Sequence, residues 1–460
     1  METFLRKLPV WLAIAFCLGL NACSKKPAHP MNRETRLEWN LRTTVAAYEL
    51  NGSTYSAWDG PATNALIAFA RYRSLQLDPG ENADEIIRTN CEAAMRARCD
   101  DPLIEYLYAR FDLSQTNSPQ AFADALSKAS DDLETSAYPT VRKLYAAIRA
   151  AQQLKYATGG LTNGNQVVFH YRHVAMTNLA LVVTDPATPV EEIYDACMDT
   201  FSLLEQNSRQ FTNCYDSIAG PLQANWPDES ATWLLKGFAL EKTAWFARGG
   251  GYANTVSPEG WAAFAADTAA AEKCILRAWD LNPHDPRIAN VMLLLCIDTS
   301  KSRDQMELWF NRAMQLDPAD YEACASKLRY LLPRWYGSAE ATLEFGRQCV
   351  QSSRFRGTVP YILVDAHDYL CNDLDAVDRE NYWKRPEVWA DLQAAYERLL
   401  VLNPQATGYY YYYLRAAYRA GQWHAFNELL NRIGTVNYDY FGGKDRFDQM
   451  VRRAAQADHP

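Results

Sequence analysis

From about residue 32 onward, apolar residues return at three- and four-residue spacing, and short clusters of Pro, Gly, Asp and Asn interrupt the pattern. This periodicity restricts the fold more than any other feature, because a helix with one apolar stripe is stable only when that stripe packs on another helix. Segments 62–77, 83–98, 139–154, 232–248, 262–281, 306–316 and 389–402 all carry it. No stretch alternates long enough for a half-buried strand. Val167-Val168-Phe169 and Leu181-Val182-Val183 are the only strand-like islands, and either also reads as a helix flank. The breaks, such as Asp100-Asp101-Pro102 and Asn117-Ser118-Pro119, have the length of turns in helical hairpins. An all-α chain follows, and 460 residues at 48% hydrophobic supply a sizeable core.

Four expected helix ends share one form: Leu77-Asp78-Pro79, Leu281-Asn282-Pro283, Leu316-Asp317-Pro318 and Leu402-Asn403-Pro404. Pro283 and Pro318 lie 35 residues apart, and the 204 residues from Pro79 to Pro283 equal six periods of 34. The 86 residues from Pro318 to Pro404 fit no whole number of periods. Ala278 and Ala313 precede two of these ends, and Ala278-x-x-Leu281-Asn282-Pro283 with Ala313-x-x-Leu316-Asp317-Pro318 resembles the close of tetratricopeptide (TPR) repeats. The resemblance implies a helical-hairpin α-solenoid, a right-handed array of antiparallel helix pairs, in which Ala278, Pro283, Ala313 and Pro318 serve inter-repeat packing. Ala416 to Phe426 looks like the turn inside a TPR, with Gly421 between two helices and Trp423 in the following aromatic position. Residues 230–350 also resemble uncharacterised TPR-like domains of bacterial exported proteins, a likeness that brings no known chemistry. The insertion Gly249-Gly250-Gly251-Tyr252 through Gly260 departs from the plain repeat. The expected regions are 33–225 (helical hairpins), 226–435 (TPR-like) and 436–460 (a capping helix).

The first residues read differently. Arg6 and Lys7 precede an apolar run from Val10 to Leu20, which ends in Leu20-Asn21-Ala22-Cys23. A charged start, an apolar stretch too short to span a bilayer comfortably and small residues before a cut describe a signal peptide. The Leu-x-Ala-Cys ending resembles the lipobox of bacterial lipoproteins. It implies removal of 1–22, acylation of Cys23, and residues 23–32 as a tether. Ser24 after that Cys resembles the pattern of outer-membrane delivery, facing the periplasm. The net charge of −9 becomes −10 once Glu2, Arg6 and Lys7 are gone, which excludes a broad grip on nucleic acid.

Of eleven Cys, nine remain after Cys17 and Cys23 are set aside. Most lie in apolar helical patterns and read as small buried hydrophobes, although an oxidising compartment permits disulfides, with Cys91–Cys99 and Cys274–Cys296 the pairs to examine. His170 and His173 share a helix face without a carboxylate at ligand spacing, and Asp365 beside His367 lacks a nucleophile in a recognisable elbow. No catalytic residue, cofactor or metal is therefore expected. Gly159-Gly160 and Gly249-Gly250-Gly251 lack the surroundings of phosphate-binding loops. The 27 Tyr and 13 Trp are the richer signal, above all Tyr409 to Tyr413, which a helix cannot bury on one side. Trp233, Tyr252, Trp335, Tyr410 and Tyr413 are the contact candidates. The expected role is a non-catalytic, membrane-anchored scaffold for proteins or peptides of the cell envelope. The alternative is a receptor that captures a glycan or small molecule on aromatic patches.

Overall fold

The computed structural model describes residues 33–458 except 52–56, 76–81, 114–117, 159–165, 405, 407, 435 and 437. The leader, Cys23, the tether, the Leu77-Asp78-Pro79 end and Gly159-Gly160 lie outside the described residues. Every regular element among the described residues is helical, and both strand-like islands fall inside one helix. Two compact units form: the chain up to Leu203 with Gly220–Glu229, and Leu204–Ala219 with everything from Ser230.

The first unit runs through α1 (Arg33–Leu41), a π-helical segment (Arg42–Ala46), α2 (Ala47–Asn51), α3 (Asp59–Arg73), α4 (Ala83–Arg96), α5 (Pro102–Phe111), α6 (Pro119–Thr135), α7 (Thr140–Ala157), α8 (Gln166–Thr184) and α9 (Val190–Leu204). From α3 to α8 each helix packs on the next. The breaks seen in the sequence work as N-caps. Asp101 accepts the amides of Leu103 and Ile104 ahead of Pro102, and Ser118 accepts that of Ala121 ahead of Pro119. Leu66, Phe69, Ile87, Leu103, Leu107, Leu126 and Leu133 form its core.

After α10 (Ser208–Asn225), which the two units divide, the second unit continues with α11 (Ser230–Arg248), α12 (Pro258–Leu281), α13 (Pro286–Asp298), α14 (Arg303–Leu316), α15 (Tyr321–Tyr330), α16 (Ala339–Gln351), α17 (Ile362–Asn372), α18 (Ala376–Tyr382), α19 (Pro386–Leu402), α20 (Gly408–Ala420), α21 (Trp423–Ile433) and α22 (Lys444–Asp458). Neighbours pair from α11 to α18 and from α19 to α22. Alternate helices α11, α13, α15, α17 and α19 also touch in sequence, as a helical-hairpin array requires.

The repeated Leu-Asx-Pro ends are built alike. The amides of Asn282 and Asp317 donate to Ala278 and Ala313 at 2.9 Å each, closing α12 and α14. Their side chains then accept from His284 and Ala319, two residues on. Asp285 and Asp320 follow at once as N-caps of α13 and α15. Ala278 and Ala313 have no exposed surface, whereas Pro283 and Pro318 are exposed, so the prolines act by stopping helices rather than by packing repeats together. Gly421, at φ +68°, turns the chain from α20 into α21, and Trp423 meets Tyr418 edge-on at 5.6 Å.

Candidate functional site

A cavity of about 210 Å3 in the second unit lies among α17, α19, α20 and the residues beside them. Tyr361, Trp383, Tyr396 and Tyr412 supply aromatic walls, and Asp368, Arg415 and Arg419 supply charge. Helical spacing explains the grouping. Tyr412, Arg415, Ala416 and Arg419 recur at three and four residues along α20 and so share one face. Arg419 lies 3.9 Å from the Trp383 ring centroid and 4.0 Å from Asp368, whose carboxyl burial pushes above its usual range while Arg419 pulls the other way. Two guanidinia against one carboxylate leave the cavity cationic, suited to a carboxylate or an electron-rich ring.

The run Tyr409 to Tyr413 is shared among several neighbours. Tyr413 is 5% exposed and stacks on Tyr396 at 4.9 Å, so this contact candidate belongs to the core instead. Tyr411 stacks on Tyr440 at 4.7 Å, Tyr409 meets Tyr361 at 5.7 Å, and Tyr410 is half-buried against the same core. Tyr412, which sequence reasoning did not single out, is 39% exposed and is the phenol of this run that lines the cavity. A turn of 100° per residue separates the two outcomes, but which side of α20 faces inward depends on α19 and α22.

A second cluster surrounds the Gly249 loop. Arg248 lies between Trp261 and Trp245, at 4.8 and 5.0 Å from the ring centroids. Arg329 lies between Trp245 and Trp335, at 5.8 and 5.3 Å. Three indoles and two guanidinia thus alternate across α11, α12 and α15, so Trp335 joins a cation–π ladder. Trp233 is half-buried under Lys236, and Tyr252 stands 87% exposed on the loop. Beside the ladder, burial raises the carboxyls of both Glu241 and Asp298, and the charge of Glu241 raises Asp298 further.

The residues weighed for catalysis separate. His170 and His173 are exposed on α8, and no group of three or more His, Cys, Asp or Glu among the described residues is arranged to hold a metal. Asp365 accepts from the Tyr321 hydroxyl rather than orienting His367. The His367 ring, 1% exposed, bridges Tyr382 at 2.8 Å and Asp391 at 3.1 Å, and Arg347 donates three hydrogen bonds to Asp391 from Nε and Nη2. Those two partners hold the Asp391 carboxyl below its usual range against burial, and together the four side chains tie α16, α17, α18 and α19. All nine cysteines among the described residues are buried free thiols, so neither Cys91–Cys99 nor Cys274–Cys296 is joined. The Cys324 thiol donates to the Met314 sulfur at 3.6 Å, and nearby Cys349 helps to raise its pKa.

No protein-family model matches this sequence, and no curated protein matches it. Among solved structures, one match is the human IFIT1 dimer with m7Gppp-AAAA, at 10% identity over 93% of this chain and 96% of that chain, with a TM-score of 0.24.

Proposed function

We propose that this chain is a non-catalytic, lipid-anchored scaffold that holds protein partners on the periplasmic side of a bacterial outer membrane. The observation that carries the reading is the cavity of Tyr361, Trp383, Tyr396 and Tyr412 edged by Arg415 and Arg419, which fits an acidic or aromatic side chain of an extended peptide segment. The array of hairpins around it is an architecture that presents such segments along one face. The lipobox-like Leu20-Asn21-Ala22-Cys23 supports the anchor. No helix among the described residues is long and apolar enough to cross a membrane.

Crosslinking the membrane-held protein and identifying its neighbours by mass spectrometry tests the scaffold. Tyr412→Ala and Arg419→Ala should each weaken the leading partner about tenfold, the order of a moderate hot-spot residue. A partner set indifferent to both substitutions overturns the cavity as the docking point. Radioactive palmitate should label the wild type and not Cys23→Ala; membrane retention of the variant refutes the anchor.

A second reading, capture of a sugar on exposed aromatic faces, is favoured by Tyr252 at 87%, Trp261 at 39% and Tyr412 at 39% exposure. A glycan array together with tryptophan fluorescence titrated with oligosaccharides separates the two readings, and an unchanged spectrum removes the sugar.

A further inference from the structure

A second cavity, of about 330 Å3, lies wholly in the first unit, among α3, α5, α6 and α7. Its walls are Tyr72, Phe122 and Leu126 on the apolar side, and Arg110, Arg149, Gln152 and Gln153 on the polar side. Arg149, Gln152 and Gln153 sit at i, i+3 and i+4 and so line one face of α7. We infer that this cavity binds a small ligand bearing an oxyanion, phosphate or carboxylate, on a flat ring.

Three observations carry the inference. First, its two guanidinia are unspent. Among the described residues neither has a carboxylate within ion-pair distance. Arg149 donates only to the Gln152 side chain, at 2.9 Å, and Arg110 only overlies Phe69, Tyr72 and Phe111, at 5.8, 5.9 and 4.8 Å. Other arginines of the unit are tied down: Arg36 and Arg73 to Glu192, and Arg88 and Arg96 to Glu92. A guanidinium fork held by packing and lacking an anionic partner is pre-organised for two oxygens of one anion.

Second, the interior behind the cavity is already positive. Arg142, 2% exposed, shares the Phe69 ring with Arg110, at 5.7 Å, and its Nε and Nη1 have no partner. Arg36, Arg73, Arg110, Arg142 and Arg149 face Glu192, Asp195 and Asp199, a surplus of two positive charges inside a chain of net charge −9. Asp199 is the local counter-charge of Arg149, Arg73 and Arg110, and a bound anion would take over that role. Third, the space exceeds what an anion alone needs, since one water's share of the liquid is about 30 Å3. Tyr72 and Phe122 offer flat apolar faces for the remainder.

The test is calorimetric titration of the full chain with inorganic phosphate, phenyl phosphate and benzoate. One ring-bearing probe should bind at one site per chain with roughly millimolar Kd or tighter, and more tightly than inorganic phosphate. Phenyl phosphate ahead of benzoate supports the phosphate form, and the reverse supports the carboxylate form. Arg110→Gln and Arg149→Gln should each weaken binding at least about tenfold, while Asp199→Asn tightens it, as removal of a competing charge requires. Arg96→Gln, on an exposed face, should leave binding as it was. Gln153→Met, which spares every charge, should weaken binding several-fold and covers the case in which an Arg variant fails to fold. No saturable heat with any of the three probes overturns the inference, and so does wild-type affinity in both Arg variants. Inorganic phosphate that binds as tightly as phenyl phosphate overturns the ring.

Discussion

Glu192 has no exposed surface, yet Arg36, Arg73, Tyr145 and Asn40 all donate to it. Burial raises its carboxyl, but Arg73, Arg36 and Arg142 outweigh burial and hold it at about 2. Because the folded value is depressed, the stability this group contributes is complete above the ordinary value of 4.5 and is lost as pH falls toward 2. Glu192→Ala should cost about 3–5 kcal/mol, since it leaves buried guanidinia uncompensated, and should remove that part of the acid sensitivity in urea titrations. Asp365 behaves oppositely. Burial lifts it to about 6 despite the Tyr321 hydrogen bond. The unfolded carboxyl releases its proton near the ordinary value of 3.8, so stability falls as pH rises from there to about 6. Asp365→Asn should raise stability at pH 7 by roughly 1–3 kcal/mol and leave it nearly unchanged at pH 3, as paired urea midpoints would register.

At the scale of elements, the recurring unit is longer than the Leu-Asx-Pro triplet. It extends to Leu-Asx-Pro-x-Asp, in which one side chain ties the turn and the next Asp starts the following helix. Asp320→Ala, at a position 8% exposed that also receives Asn290, should destabilise by about 1–2 kcal/mol. The Trp233 to Gly237 segment carries a second element-scale constraint. A Cβ on Gly237 would meet Ile275 Cδ1 at 2.4 Å and the Ala271 carbonyl at 3.3 Å, so α11 and α12 approach closely there. Gly237→Ala should cost about 1–3 kcal/mol in thermal melts, and Ile275→Val should recover part of it, because the clash is with a flexible side-chain end.

Across the whole molecule, cysteine provides a count. All nine described thiols are buried, and burial pushes Cys91, Cys214 and Cys296 to about 12 and Cys99 to about 11. None should react with Ellman's reagent at pH 8 in the native state. After denaturation, nine thiols fit a chain that has lost Cys17 and carries acyl groups on Cys23, whereas eleven fit an unprocessed chain. A count of ten, with Cys23 present but bare, would refute lipidation. Thiols missing in pairs would indicate a disulfide, with Cys324–Cys349 the pair to map.

Helical class and break positions were legible in the sequence because they depend on apolar spacing and on turn-forming residues close together in the chain. Gly421 as an interhelical turn and buried Ala278 and Ala313 belong to the same local grammar. What local spacing could not decide is which of five consecutive tyrosines faces the cavity, that His367 pairs with Asp391 rather than Asp365, and that Arg110 and Arg149 have no carboxylate within ion-pair distance among the described residues while Arg73 has Glu192. These are contacts between residues 24 to more than 100 positions apart. They exist only once helices have packed, because burial and neighbouring charge belong to the assembled interior and not to any segment of the chain.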